Sequence, residues 1–398
     1  MFPTFYQTCI RANLTETQYL TLQLLVLLLQ THRKVCLSSL ATLFPQPILY
    51  ESRLRNLQRF LYLPRLSVKL IWFPIIKHLV KNQFRPVITN RAQRRHQNKK
   101  KLTHHGYLLL AIDRTQWQER NLFVLSLVWG NHALPIYWGC LEKKGNSNLK
   151  KQTSLLTPVL RLLKPYPVVV LGDREFHSIK LGEWLNERGV KFALRQKKST
   201  FIQERGQDYG ILKDLEIKPG MTRFIHDIHC TKKHKIGQFN LGVTWKRKYR
   251  GKQAKEPWYI LTNLNNLKLT LSFYKARWGI ESMFKDCKTG GYHLEQTWVN
   301  ETRFLALVLL VAIAYSLATF HGESIQKKGV RSYVCRKLES HRSVERHSHF
   351  WIGLYGQLWV NAMNDWPDLV ILLTSLKPNK QRNYQRGLKA LFIIQSTL

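Results

Sequence analysis

The chain has 398 residues, 44% of them hydrophobic, which supplies a buried core for two or three domains and excludes a globally disordered chain. Lys and Arg number 63 against 24 Asp and Glu, a formal net charge of +39 with a pI near 10.2. A folded chain so basic repels itself unless it meets a polyanion. Its basic residues run along the whole length instead of forming a tail, so nucleic acid is a better partner than a membrane surface or a structural assembly.

Residues 14–63 read as short helices. Leu20–Leu29 form one, Ser38–Phe44 a second, and Ser52–Leu63, behind Pro45 and Pro47, a third. Arg53, Arg55 and Arg59 suit a DNA-end-binding role for a helical region over residues 1–90; a helical packing domain fits equally well. Arg11 and Glu16 precede the apolar run and no small-residue cleavage pattern follows, so no signal peptide is expected. The dense Arg and Lys of Arg91–Lys101 read as a basic linker, residues 91–104, able to track a phosphate backbone.

At Tyr107 the texture changes. Leu108–Trp117, Asn121–Gly130 and Ala133–Leu141 read as three strands, with a hairpin turn at Gly130–Asn131. A helix follows over Leu149–Leu163, then Val168–Leu171, a continuous apolar run of the kind buried on both faces of a sheet. A helix over about 178–188, closed by Gly189, leads to a strand at Lys191–Leu194. The order predicts a mixed α/β sheet with helices packed on it. Residues 197–265 break that rhythm: short apolar pieces at Arg223–Ile228, Phe239–Trp245 and Trp258–Leu264 predict an all-β insertion.

A helix from Thr270 to about Lys288 resumes the α/β pattern. The apolar run Phe304–Phe320 sits at the short limit for a membrane span and carries Tyr315, Ser316 and Thr319, so it reads as a buried core helix. Residues 321–398 read as a helical C-terminal region with Trp351, Trp359 and Trp366 in a core. The six cysteines (Cys9, Cys36, Cys140, Cys230, Cys287, Cys335) include no C-x-x-C pair, which argues against a zinc ribbon or disulfide scaffold and suits a reducing cytoplasm. His226, His229, Cys230 and His234 match no zinc-finger spacing and read as alternating strand residues.

Acidic residues are scarce, so their placement carries weight. Asp113 lies in Leu-Leu-Leu-Ala-Ile-Asp-Arg-Thr, inside or at the end of the first strand, and Asp173 in Val-Val-Val-Leu-Gly-Asp-Arg, just past the end of its strand. A carboxylate among such neighbours costs several kcal/mol unless a cation compensates. Two strand-end aspartates that converge in one sheet repel each other without one, and Mg²⁺ prefers such oxygen ligands. The alternative is that each pairs with its sequence neighbour, Arg114 or Arg174. On the helix from Tyr274, Tyr274, Arg277, Glu281 and Lys288 share one stripe, within an arc of about 60° on an ideal helix. That stripe presents a metal ligand flanked by phosphate-contacting groups, or else an ordinary exposed face with an Arg277–Glu281 i,i+4 pair.

Tyr-x2-Arg-x3-Glu-x6-Lys, as Tyr274, Arg277, Glu281 and Lys288, resembles the signature of the insertion-sequence-four family of bacterial DDE transposases. "AIDRTQW" around Asp113 and "LGDREF" around Asp173 are similar to that family's two aspartate motifs. The resemblance covers residues 105–320 and implies a ribonuclease-H-like catalytic domain with a β-rich insertion. It implies that Asp113, Asp173 and Glu281 are catalytic and hold two Mg²⁺ ions, with Mn²⁺ as a substitute. Tyr274, Arg277 and Lys288 would then contact phosphates of the DNA end, and Lys285 on the same stripe with them. The implied activity cuts the ends of an insertion sequence and joins them to target DNA, so the partners are double-stranded DNA (terminal inverted repeats and target) and a second copy of the chain in the synaptic complex. A cytoplasmic location, at the nucleoid when bound, follows, with no membrane partner.

The insertion would bring further groups to the cleaved end. Trp245 and Trp258 either stack on an unpaired base or belong to the β core. Lys246, Arg247, Lys248 and Arg250 either touch phosphate or form a solvated loop. A ribonuclease-H-like nuclease acting on another nucleic acid would keep the carboxylates without the Tyr, Arg and Lys stripe. A catalytically dead derivative would have lost a carboxylate, and none is missing.

Overall fold

Thr15 starts the first long helix. Its side chain accepts a hydrogen bond from Gln18 N while Gln18 Oε1 accepts one from Thr15 N, a reciprocal cap that satisfies two orphan donors. The computed structural model in which this cap is seen describes residues 2–83, 104–117, 120–141, 147–230, 236–247, 255–336 and 346–397. It divides into a helical unit, Met1–Ile75 with Lys285–Leu398, and a sheet unit, Ile76–Phe284. The basic run Arg91–Lys101 falls outside the described residues, as do Lys248, Arg250 and His234.

The chain opens with helices α1 (Thr4–Arg11), α2 (Glu16–His32), α3 (Leu37–Leu43) and α4 (Tyr50–Phe60). A π-helical turn, Val68–Trp72, runs into α5 (Phe73–Gln83), which spans the boundary between the units. Sequence patterning located α2 to α4; α1 was not expected. Of the three arginines on α4, Arg55 and Arg59 are exposed and Arg53 is half-buried.

In the sheet unit, β1 (Leu108–Trp117), β2 (Arg120–Trp129) and β3 (His132–Leu141) form an antiparallel meander. Helix α6 (Leu149–Leu162), capped by Asn148, carries the chain to β4 (Val168–Gly172), which pairs parallel with β1. Helix α7 (Ile179–Asn186) then leads to β5 (Lys191–Arg195), parallel with β4. Both parallel pairs therefore arise from βαβ crossovers, and β4 is buried along its whole length, as its unbroken apolar run requires.

The segment expected to be an all-β insertion contributes β6 (Phe201–Gln203), β7 (Gly210–Ile211), β8 (Thr222–Cys230), β9 (Ile236–Thr244) and β10 (Trp258–Thr262), with a 3₁₀ turn at Leu212–Leu215. These strands do not stand apart. Strand β10 pairs antiparallel with β5, so one ten-stranded sheet runs β3-β2-β1-β4-β5-β10-β9-β8-β6-β7. An edge strand left open at β5 would expose unpaired backbone groups, and the added strands cover it.

Next come α8 (Leu267–Ala276), capped by Asn266, and α9 (Trp278–Cys287). The single helix expected over 270–288 is thus broken at Arg277, where Arg277 N bonds Tyr274 O at 3.2 Å and Ile280 N bonds Arg277 O at 3.0 Å. These i→i+3 bonds tighten one turn and interrupt the regular ladder.

The helical unit is completed by α10 (Glu301–Lys327), α11 (His349–Asp365), α12 (Pro367–Ser375) and α13 (Gln381–Gln395). Helix α10 is long and apolar enough to cross a membrane, with a window of mean hydropathy 2.1, yet 89% of that window is buried inside the protein. It is the core helix of this unit. Gly322 and Gly353 let it approach α11 closely: a Cβ at Gly322 would lie 1.7 Å from the His349 carbonyl oxygen. The chain's N-terminal helices pack on the same pair, through Tyr6 Oη to Ser316 Oγ at 2.7 Å, Gln30 Nε2 to the Ala314 carbonyl at 3.3 Å and Arg33 to Tyr355 Oη at 2.9 Å. Residues 285–320, expected within the catalytic domain, therefore group with the N-terminal and C-terminal helices. Those two regions form one unit.

Trp351 and Trp359 pack against a cluster that includes Ile325, Ile352 and Ile394. Trp366, also expected in a core, is 59% exposed, because it precedes α12, a helix with no buried residue.

Candidate active site

Strand register brings the first two carboxylates together. In the parallel pair, Ile112 of β1 stands opposite Gly172 of β4, so Asp113 and Asp173 are the next residues on adjacent strands. Asp173 follows the carboxyl end of β4 and Asp113 lies within β1, one residue past the last parallel pair, where an α/β sheet forms its ligand crevice. Asp113 Oδ1 accepts a hydrogen bond from Arg114 N and Asp173 Oδ1 one from Glu175 N, each at 2.8 Å. One oxygen of each carboxylate is thereby pinned by backbone.

Neither aspartate pairs with the arginine beside it in sequence. Arg114 Nε donates to Glu175 Oε2 at 2.9 Å, and Arg174 donates to Glu256 Oε1 at 2.5 Å. The cation that does reach Asp113 comes from the α8–α9 junction. Arg277 donates to Asp113 Oδ2 at 3.0 Å and to Glu281 Oε1 at 2.6 Å. A single guanidinium thus joins the first aspartate to the glutamate.

Electrostatics tie all three acids into one site. Burial pushes the Asp113 carboxyl up to about 7; Arg277 opposes this, and the charges of Asp173 and Glu281 add to it. Burial disfavours the charge on Arg277, but Tyr274, Asp113, Glu281 and Asp173 outweigh it and its pKa is raised. The Tyr274 hydroxyl is raised chiefly by burial.

The expected stripe is not an exposed face. Tyr274 is buried, Arg277 nearly so, and Lys288 lies beyond the end of α9, paired with Glu295 at 2.9 Å. Lys285 is exposed on the last turn of α9. The break at Arg277 accounts for this, since an unbroken helix would carry all four on one side. Gly279 seats α9 in the sheet unit: a Cβ there would lie 2.5 Å from the His132 carbonyl oxygen.

Trp258, half-buried at the start of β10, meets Tyr274 edge-on at 5.0 Å, and Lys246 Nζ lies 5.2 Å from its ring centre. Trp258 is therefore next to the site through Tyr274. Trp245 is half-buried just past β9, where its carbonyl accepts from Gly220 N, and Lys246 and Arg247 are exposed after it. Sequence reading missed a basic cavity of about 290 Å³ beside Asp173, lined by Arg174, Arg195, Lys197, Lys198 and Glu256. Arg195 shares Glu256 with Arg174, at 2.9 Å. The only signal was the scarcity of acids, which makes Glu175 and Glu256 as informative as the aspartates.

The donor chemistry suits a hard divalent cation: three carboxylates, oxygen ligands only. The spacing is not closed around one. Among the described residues, no three of His, Cys, Asp and Glu are gathered as a metal-holding group. Arg277 stands between two of the donors instead.

Residues 141–317 match the family described as the transposase DDE domain. The matched span takes in Asp173 and Glu281 and begins after Asp113. No curated protein matches the chain. Among solved structures the chain is similar to a piggyBac transposase, in a cryo-EM structure of its synaptic complex with hairpin DNA. The identity is 12% over 92% of this chain and 78% of that one, with a TM-score of 0.41. A likeness that weak carries no functional argument.

Proposed function

We propose that the chain is a DNA transposase that cleaves the ends of an insertion sequence and joins them to target DNA, with Asp113, Asp173 and Glu281 as its catalytic carboxylates. The observation that carries the reading is the side-by-side placement of Asp113 and Asp173, with Glu281 drawn to Asp113 through Arg277, in a chain of net charge +39. The match over residues 141–317 supports it. We read β1 to β5 as the ribonuclease-H-like core, and Tyr274, Arg277, Glu281 and Lys288 as the signature of the insertion-sequence-four family.

Asp113, Asp173 and Glu281 would hold Mg²⁺ or Mn²⁺, which when bound supplies the Lewis acidity that activates an attacking hydroxyl and stabilises the leaving oxygen of an in-line displacement. The protein's own part is positional. Backbone N–H groups fix one oxygen of each aspartate, and Arg277 holds the other oxygen of Asp113. Arg277 and Tyr274 offer donors to a scissile or neighbouring phosphate, and the exposed Lys246, Arg247 and Lys285 add charge for the duplex. Two DNA ends require two active sites, so the partner in the synaptic complex is a second copy of this chain. Helix α12 supports that: Leu369, Ile371, Leu372 and Leu373 on it, with Trp366 and Leu376 at its ends, are exposed apolar side chains that a second copy would cover.

The test is a cleavage and strand-transfer assay with Mg²⁺ on DNA bearing the element's own terminal repeats. Asp113→Ala, Asp173→Ala and Glu281→Ala should each reduce both steps by at least about a thousandfold. Activity left intact by all three substitutions would sink the reading. Cleavage without strand transfer would instead mark a nuclease of the same fold.

A further inference from the structure

Arg277 is a buried guanidinium whose fork spans two of the three carboxylates, with 3.0 Å to Asp113 and 2.6 Å to Glu281. Its Nε, also buried, has no hydrogen-bond partner among the described residues. We propose that Arg277 is the resident counter-ion of the carboxylate cluster, neutralising Asp113 and Glu281 in the cation-free protein, and that a divalent cation binds only as Arg277 leaves them. The inference rests on the reading of the three acids as a cation site.

Three observations carry it. Three carboxylates in one crevice need positive charge, yet Arg114 and Arg174, the nearest cations in sequence, are committed to Glu175 and Glu256. Among the described residues, Arg277 alone bridges members of the cluster. Second, the acids are not gathered closely enough for one ion as they stand, and the oxygens facing Arg277, Asp113 Oδ2 and Glu281 Oε1, are ones a cation would take. A planar fork and an ion cannot hold the same lone pairs at once. Third, Arg277 sits at the tightened junction between α8 and α9 instead of inside either helix, and with its Nε unbonded among the described residues its fork is held by the two carboxylates.

A released Arg277 has a destination. In its ion-paired position the guanidinium carbon already lies 5.9 Å from the Tyr274 ring centre, and on release its donors, Nε included, become free for an anion. In a chain that acts on DNA that anion is a backbone phosphate. Cation binding and phosphate binding would then favour each other, because each takes one side of the ion pair that the other must open.

The experiment is titration of the full-length chain with Mn²⁺ by calorimetry and electron paramagnetic resonance, without DNA and at pH 8, for wild type, Arg277→Met and Arg277→Lys. The counter-ion role predicts that Arg277→Met binds Mn²⁺ at least about tenfold more tightly than wild type, with Arg277→Lys between them. It also predicts a lower melting temperature for Arg277→Met without cation and a larger rise on adding it. Equal or weaker Mn²⁺ binding by a folded Arg277→Met overturns the inference alone. Absence of Mn²⁺ binding in every form overturns the cation-site reading with it. Should Arg277→Met not fold, wild type labelled with ¹⁵N-arginine decides: the ion-paired Arg277 side-chain signal shifts on Mg²⁺ saturation, and an unchanged signal refutes the proposal.

Discussion

Asp113 shows how little a sequence neighbour says about a spatial one. Arg114 follows it directly, yet Arg114 gives its backbone N–H to Asp113 and its side chain to Glu175. The balancing charge arrives from Arg277, far along the chain. The two aspartates were legible because a carboxylate at the end of an apolar strand is costly without a reason. The ion-pair partner of Asp113 was not, because it depends on which distant element faces the crevice. Burial works in the opposite sense at His321 in α10, whose imidazole is held down to about 4 and stays neutral. The unfolded chain protonates it near the ordinary value of 6.5 while the folded chain refuses the proton. Stability from this group is therefore complete above pH 6.5 and lost as pH falls, by about 3 kcal/mol at pH 4. Urea unfolding of wild type and His321→Leu between pH 7 and 4.5 should show the wild type losing more stability on acidification. Parallel pH profiles would refute this.

Among elements, the strands that carry the site matched their sequence patterns, since β1, β2 and β4 are apolar runs that only a sheet covered on both faces can bury. The junction at Arg277 had no such signature. Residues 267–287 satisfy helical patterning throughout, and what breaks the helix is local tightening, with the Arg277 side chain turned in to its acids. Gly279 tests how α9 is held. Gly279→Ala would gain up to ~1 kcal/mol in helix propensity. A Cβ placed 2.5 Å from the His132 carbonyl forces backbone apart, at a cost of about 1–3 kcal/mol. The clash should win, with a lower melting temperature. Glu281 then moves away from Asp113, so cleavage should drop at least about tenfold in a protein whose circular dichroism is unchanged. Full activity in Gly279→Ala would show that this contact does not position Glu281.

At the scale of the molecule, the two ends of the chain form one helical unit around α10, and the segment expected as an insertion lengthens a single sheet. Self-association belongs to this scale. A chain of charge +39 repels its copies everywhere except where charge is sparse, and α12 carries only Asp368 among its nine residues. Sedimentation of the full chain should reveal a concentration-dependent dimer, and Leu369→Ser with Leu373→Ser should weaken it at least about a hundredfold. An unaltered dimer in the double variant would place the interface elsewhere.

Composition, apolar periodicity and the placement of a few acids were enough to announce a basic α/β chain and to single out Asp113 and Asp173 as costly carboxylates, because burial and charge impose costs that local sequence must already meet. Strand order, the joining of distant helices into one unit, and the guanidinium that holds two of the acids were settled by folding. Those features come from pairings between residues far apart in the chain, such as Ile112 with Gly172 and Arg277 with Asp113, and no local pattern encodes which distant partner arrives.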